Sequence, residues 1–204
     1  MAKPHGWAFR WRGVVGILVL LPLVLVVVFG RGRIHPDSAE ALALQGAGWA
    51  LLLSGVYLRV VSCLFVGGRK GKSLVTEGPY AMCRNPLYLG SLLIALSFSL
   101  FMYSATLLAG ILVVSTFYLS LVIRAEERQL EAAFPAEWKA YASRVPRILP
   151  RLRRPARSGT REIEFRTLRK ESLRAIGALL FPLAARGLEL LRQHPGWPVW
   201  WSLP

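Results

Sequence analysis

Residues 13–29 read GVVGILVLLPLVLVVVF, seventeen consecutive positions without a charge. A run this long and this apolar is suited to crossing a bilayer core of about 30 Å. Similar runs follow at about Ala41–Val66, Leu87–Leu100 and Ala105–Ile123, the second with Arg59 near its end. The uncharged FMYS that joins the last two is so short that they form an antiparallel hairpin. The expected fold is all-α: a polytopic membrane bundle of about four transmembrane helices, followed by interfacial or cytosolic C-terminal helices.

Charge enters because it is segregated from these runs. The chain has 26 Lys+Arg against 11 Asp+Glu, yet 54% of its residues are hydrophobic and mean hydropathy is +0.43. An ordinary soluble domain is excluded. Basic residues gather before residue 13, in the 67–86 loop (Arg69, Lys70, Lys72, Arg84) and after Arg124. Basic flanks face the cytoplasm. This predicts a multi-pass protein with its N-terminus, the 67–86 loop and the tail all on that side. The chain then divides into two N-terminal transmembrane helices (1–72), a core (73–150), and a basic linker with an interfacial amphipathic tail (151–204). Residues 13–29 read as a retained anchor, because no small-x-small cleavage site ends them.

Several features exclude chemistry. GGRKGKS resembles a phosphate-binding loop, but the glycine required five residues before Gly71 is Val66. GAG at 46–48 reads as close helix packing. Cys63 and Cys83 do not make a disulfide framework. His5, His35 and His194 have no metal-ligand spacing, so no metal site is expected. The run Arg147, Arg151, Arg153, Arg154 and Arg157 reads as a juxtamembrane segment held against anionic lipid. It lacks the interleaved aromatics of a nucleic-acid surface. The apolar segment 173–191 contains Arg174, Arg186, Glu189 and a mid-helix Pro182, and a helix lying in the interface avoids burying those charges.

The informative stretch is GPYAMCRNPLYLG, residues 78–90. Gly78-Pro79 makes a turn, and the residue before Pro86 must leave helical geometry, so a helix begins at about Pro86. Amide donors at that helix start, the planar fork of Arg84 and the faces of Tyr80 and Tyr88 form one wall of a pocket for an anionic, aromatic-bearing ligand. The second stretch is EERQLEAAFPAEWKAYASRVPRILP, residues 126–150. It places Glu126 and Glu127 at the cytoplasmic end of the fourth span, where adjacent carboxylates call for a cationic partner. Phe134-Pro135 breaks that helix, and Pro135 suits the first turn of the next. One hairpin through the bilayer brings the two stretches to the same face.

Together, GPYAMCRNPLYLG, the hairpin and the Glu-Glu to Val-Pro segment resemble the isoprenylcysteine carboxyl methyltransferase and phospholipid methyltransferase superfamily over about residues 73–150. The resemblance implies a membrane methyltransferase that uses S-adenosylmethionine on its cytosolic side. Tyr80, Arg84, Asn85, Pro86, Tyr88, Gly90, Glu126 and Glu127 would cradle the cofactor, and Trp138, Tyr141 and Arg144 would close the cradle. The acceptor would be a lipid or lipidated molecule that enters from the bilayer and offers a carboxylate, amine or thiol. Arg144 could orient a carboxylate, and Glu127 could serve as base for an amine or thiol. Three positions depart from the family pattern. Asn85 stands where the family has histidine, Pro135 where it has glycine, and Trp138 where it has tyrosine. Two rival readings remain open: a membrane sterol-type reductase using NADPH, which shares a similar Arg-His-Pro-x-Tyr signature, and a non-catalytic membrane scaffold.

Overall fold

The computed structural model describes residues 21–22, 24–32, 34–69, 72–151 and 165–203. The expected anchor at 13–29 falls mostly outside these residues, as do His5, Lys70 and Arg153, Arg154 and Arg157 of the basic run.

The first long element is α1 (Ala39–Val66). Ser38 caps it, its Oγ accepting from the Ala41 amide at 3.1 Å. The chain then turns through Gly67 and Gly68, the latter at φ +70°, where a Cβ is disfavoured. A single turn, α2 (Pro79–Met82), leads through extended Cys83 to α3 (Pro86–Phe101). Pro79 and Pro86 both sit at helix starts, where proline's missing N–H costs nothing. The tight turn Met102–Tyr103–Ser104 reverses the chain into α4 (Ala105–Ala133), capped by Ser104 Oγ. Phe134 ends α4, and Pro135 starts α5 (Pro135–Ala142).

Helix α1 packs on α3 through paired glycines. A Cβ on Gly55 would lie 2.8 Å from the Gly90 carbonyl oxygen, and one on Gly90 would lie 2.6 Å from Arg59 Cγ. The two backbones therefore nearly touch, as small residues allow in apolar helix pairs. Leu52, Phe101, Met102, Leu107 and Ile111 form the buried core toward the hairpin end. Large side chains such as Leu42, Leu53, Phe117 and Leu121 face outward. An apolar exterior suits lipid as solvent.

By length and composition, α1 and α4 can cross a membrane. The described residues do not establish the expected count of about four spans, the first of which lies mostly outside them. Helix α3 has 16 residues, about 24 Å of rise, short of the roughly 30 Å core. Its start is fixed by Pro86 and its end by the hairpin, so it cannot lengthen.

The segment expected as one interfacial helix over 173–191 is two helices, α6 (Phe165–Leu179) and α7 (Phe181–Gln193), with Pro182 in the first turn of the second. They do not lie flat at one end of the bundle. At Glu171, α6 meets Arg59 of α1, with Nε to Oε1 2.5 Å. Phe181 packs edge-on to Phe98, 5.3 Å between ring centroids. Arg192 donates to the Val27 carbonyl, and Phe29 stacks on Trp200 at 4.4 Å. The chain ends in a three-residue parallel ladder of β1 (Gly30–Gly32) with β2 (Trp201–Leu203). The tail thus runs the length of α1. It turns Glu171 and Arg192 inward and Leu173, Ile176, Leu180 and Leu183 outward.

Candidate functional site

Glu127 is the centre of the site. It lies on α4 beyond the apolar stretch, and its side chain is 9% exposed. Arg147 binds one carboxylate oxygen with a fork, Nε to Oε2 2.9 Å and Nη2 to Oε2 2.5 Å. Asn85 donates Nδ2 to Oε1 at 3.2 Å and also to the Arg147 carbonyl at 3.1 Å. Arg84 Nε approaches Oε1 to 3.3 Å. Two guanidiniums and one amide therefore hold a single carboxylate.

Local backbone explains how these groups meet. Asn85 is non-helical because Pro86 disfavours the helical region for the residue before it, and Cys83 is extended as it leaves α2. That extended piece pairs with the chain after α5: the Arg84 amide donates to Pro146 O at 2.9 Å, and the Arg151 amide to Met82 O at 3.0 Å. Arg84 Nη1 reaches Ala142 O at 3.3 Å, and its guanidinium lies over the Trp138 ring, 5.5 Å from the centroid. Tyr141 donates its hydroxyl to Tyr80 O at 2.7 Å, pinning α5 to α2. Both phenols are pushed up by burial, so they are neutral struts. Burial also pushes the Cys83 thiol up to about 11.

A hollow of about 290 Å³ opens beside Glu127, lined by Arg84, Arg124, Glu127, Arg128, Glu131, Trp138 and Arg147. Four arginines face two glutamates there, so the hollow attracts anions. Arg84 Nε is buried and makes no hydrogen bond among the described residues, because its N–H is not aligned on Oε1. A buried unpartnered donor of this kind marks where a ligand acceptor would fit.

Of the residues singled out in the sequence, Arg84, Glu127 and Trp138 line the hollow, and Asn85 braces it from behind. The others sit elsewhere. Glu126, about 100° round the helix from Glu127, is felt by the Tyr80 hydroxyl instead. Tyr80, Pro86 and Tyr141 are buried supports, and Tyr88 is outside the lining. Gly90 is occupied by the crossing with Gly55. Arg144, just past the end of α5, is exposed and donates back to Ala140 O of that helix at 2.9 Å. Arg147 was hidden in the sequence, where it reads as the first of a solvated basic run. Its one local signal is its place directly after Val145-Pro146. No group of three or more His, Cys, Asp or Glu that could hold a metal occurs among the described residues.

Residues 41–137 match the family model described as phospholipid methyltransferase, just under half of the chain. The resemblance read from residues 73–150 is thereby met, and the match takes in most of α1 as well. Among curated proteins, the nickel-cobalt-cadmium resistance protein NccN of Alcaligenes xylosoxydans xylosoxydans is 28% identical over 198 residues, covering 97% of this chain and 92% of that protein. The cobalt-zinc-cadmium resistance protein CzcN of Cupriavidus metallidurans is 40% identical over 146 residues, covering 70% of this chain. The match spans 62% of CzcN's own length. No solved structure matches the chain.

Proposed function

We propose that the chain is a membrane methyltransferase that binds S-adenosylmethionine at the Glu127 hollow and methylates a lipid-like acceptor. The observation that carries this reading is the joining of Arg84, Glu127 and Arg147 from three separate segments, two of which lie within the family match.

The residues present fit the cofactor's charged end. S-adenosylmethionine supplies a methyl group on a sulfonium and carries a carboxylate and an ammonium. Arg84 offers an unpartnered N–H for the carboxylate. Glu131, on the same lining, offers a carboxylate for the ammonium. Ligand pockets usually exceed about 300 Å³, so this hollow takes part of the molecule. Trp138 supplies the one aromatic face on its wall.

Glu127 is a positioning group in this reading. Its oxygens accept hydrogen bonds from Asn85 and Arg147, which hold it in place beside the Arg84 charge at ion-pair distance. With Glu127 held by its donors and Glu131 given to the cofactor's ammonium, this reading leaves no carboxylate of the lining to act as base, and Arg144 is turned to Ala140 O. That favours an acceptor which need not lose a proton. An acceptor carboxylate oxygen would form the new C–O bond as the S–CH3 bond breaks, leaving a neutral thioether. Excluding water from that carboxylate would activate it. The acceptor would enter from the bilayer between helices, and the site would face the cytoplasm.

The test is to incubate membranes containing the full chain with donor labelled in its methyl group. A product that releases labelled methanol in mild alkali is a methyl ester, as expected. Label stable to alkali points to an amine or thiol acceptor. Calorimetry in detergent separates the rivals: S-adenosylhomocysteine should bind and NADPH should not, and the reverse would make the chain a reductase. Binding of neither refutes both enzyme readings and leaves the scaffold. The resistance names of both relatives supply a phenotype to score: deletion should sensitise cells to cobalt or cadmium if this chain shares that role.

A further inference from the structure

A second, larger cavity lies at the other end of the bundle. Its volume is about 550 Å³, and it opens between the start of α1, the α3–α4 turn and α7. Along α4, the 22 residues from Ala105 to Glu127 amount to about 33 Å. The two cavities therefore sit one bilayer core apart, and no ligand in one touches the other.

This cavity is not a leftover of packing. Tyr103 on its wall has φ +51°, the one non-glycine residue with positive φ among the described residues. A tyrosine in that conformation stores strain, which persists where surrounding contacts hold it. Here its hydroxyl accepts from Gln45 Nε2, and Gln45 lines the same cavity. The wall carries both signs of charge, with Asp37 and Glu189 acidic and Arg186 basic. Trp49 adds an aromatic face. The flank is lipid-facing: Leu42 and Leu183 are 72% and 68% exposed.

We propose that this cavity binds a zwitterionic ammonium–phosphate group, presented by a phospholipid headgroup in the leaflet opposite the Glu127 site. The ammonium sits against Asp37 and Glu189 under the faces of Trp49 and Tyr103, and the phosphate against Arg186. Aromatic walls favour an organic ammonium over a hydrated metal ion, whose water shell keeps it from the ring. A headgroup has both charges at the spacing of one small cavity, and the exposed leucines beside it accept acyl chains. Glu189 also has buried Arg192 beside it at 3.8 Å, so the wall carboxylate with no arginine beside it among the described residues is Asp37, and a purely anionic lipid would bring no ammonium to it and be disfavoured.

The test uses the full chain in detergent with short-chain phosphatidylethanolamine, short-chain phosphatidylglycerol and water-soluble glycerophosphoethanolamine, reading thermal shift and calorimetric affinity. Phosphatidylethanolamine should stabilise and phosphatidylglycerol should not. Asp37→Asn and Arg186→Gln lie on exposed positions away from the core, and each should weaken binding about tenfold, as loss of a charged contact does. Both should leave S-adenosylhomocysteine binding unchanged, which shows that the variants are folded and keeps this proposal separate from the methyl-transfer reading. A shift with the lipid alone assigns the source to the bilayer, and an equal shift with glycerophosphoethanolamine assigns it to a soluble headgroup. No shift, an equal shift from phosphatidylglycerol, or unchanged affinity in both variants overturns the proposal.

Discussion

Replacing Glu127 with Gln tests whether the carboxylate cage holds the site together. The side chain keeps its volume and one acceptor, but one oxygen becomes an NH2 that confronts donors. Removing one partner of a fully buried ion pair costs about 3–5 kcal/mol. Arg84 is nearly as buried as Glu127, with 14% of its side chain exposed, but Arg147 is 42% exposed and its charge is partly screened. The retained acceptor lowers the figure further, so a loss of about 2–3 kcal/mol is expected. For a chain of this size that lowers Tm by roughly 4–12 °C. The decisive assay is a double-mutant cycle with Arg147→Ala, followed by thermal unfolding in detergent. Arg147→Ala alone should cost about 1–2 kcal/mol, and the double variant little more than Glu127→Gln alone. The coupling should be about 1–2 kcal/mol. Additive losses within about 0.5 kcal/mol would refute the cage, because the two groups would then be acting independently.

Three further outcomes are expected. Gly90→Ala should destabilise the chain by about 1–3 kcal/mol, because its Cβ meets Arg59 Cγ at 2.6 Å and Gly55 O at 2.8 Å; a neutral result in the same melt would return Gly90 to the list of ligand contacts. Glu171→Ala removes the carboxylate of Arg59, leaving it the Leu87 carbonyl and Ser91 Oγ, and should loosen the tail, seen as faster amide exchange across 165–193 with little change near Trp138; uniform exchange throughout would contradict the role assigned to the pair. Cys83 holds its proton up to about pH 11, above its ordinary value of 9.0. The unfolded thiol ionises first, so stability should fall as pH rises from about 9 to 11, and Cys83→Ser should flatten that decline.

Much of the frame was legible because it is written in local punctuation. Ser38 as a cap, Pro86 and Pro135 as helix starts, and FMYS as a hairpin each depend on a few neighbouring residues. The meeting of Arg84 with Glu127 followed from one hairpin and the placing of charges. What escaped are pairings across long separations, which leave no trace in spacing. Arg147 reaches Glu127 from 20 residues away, and Glu171 reaches Arg59 from 112. The break of the tail into two helices and its contacts with α1 also left no trace in spacing. In the fold Arg174 and Glu189 pair within their own helices with Glu171 and Arg192, which in turn reach Arg59 and the Val27 carbonyl, and the leucines face out. Gly90 belonged to a motif by sequence and to a helix crossing by geometry, which only the approach of α1 reveals.

The pairing of Arg59 with Glu171 also dictates an order of events during biosynthesis. Arg59 is made with α1 long before residue 171 has left the ribosome, so for most of translation it lacks its counter-ion. Until the last forty residues emerge and dock, that guanidinium has only the Leu87 carbonyl and Ser91 Oγ of α3 to hold it. A stop after residue 150 would spare every group that lines the Glu127 hollow and still leave Arg59 without its carboxylate.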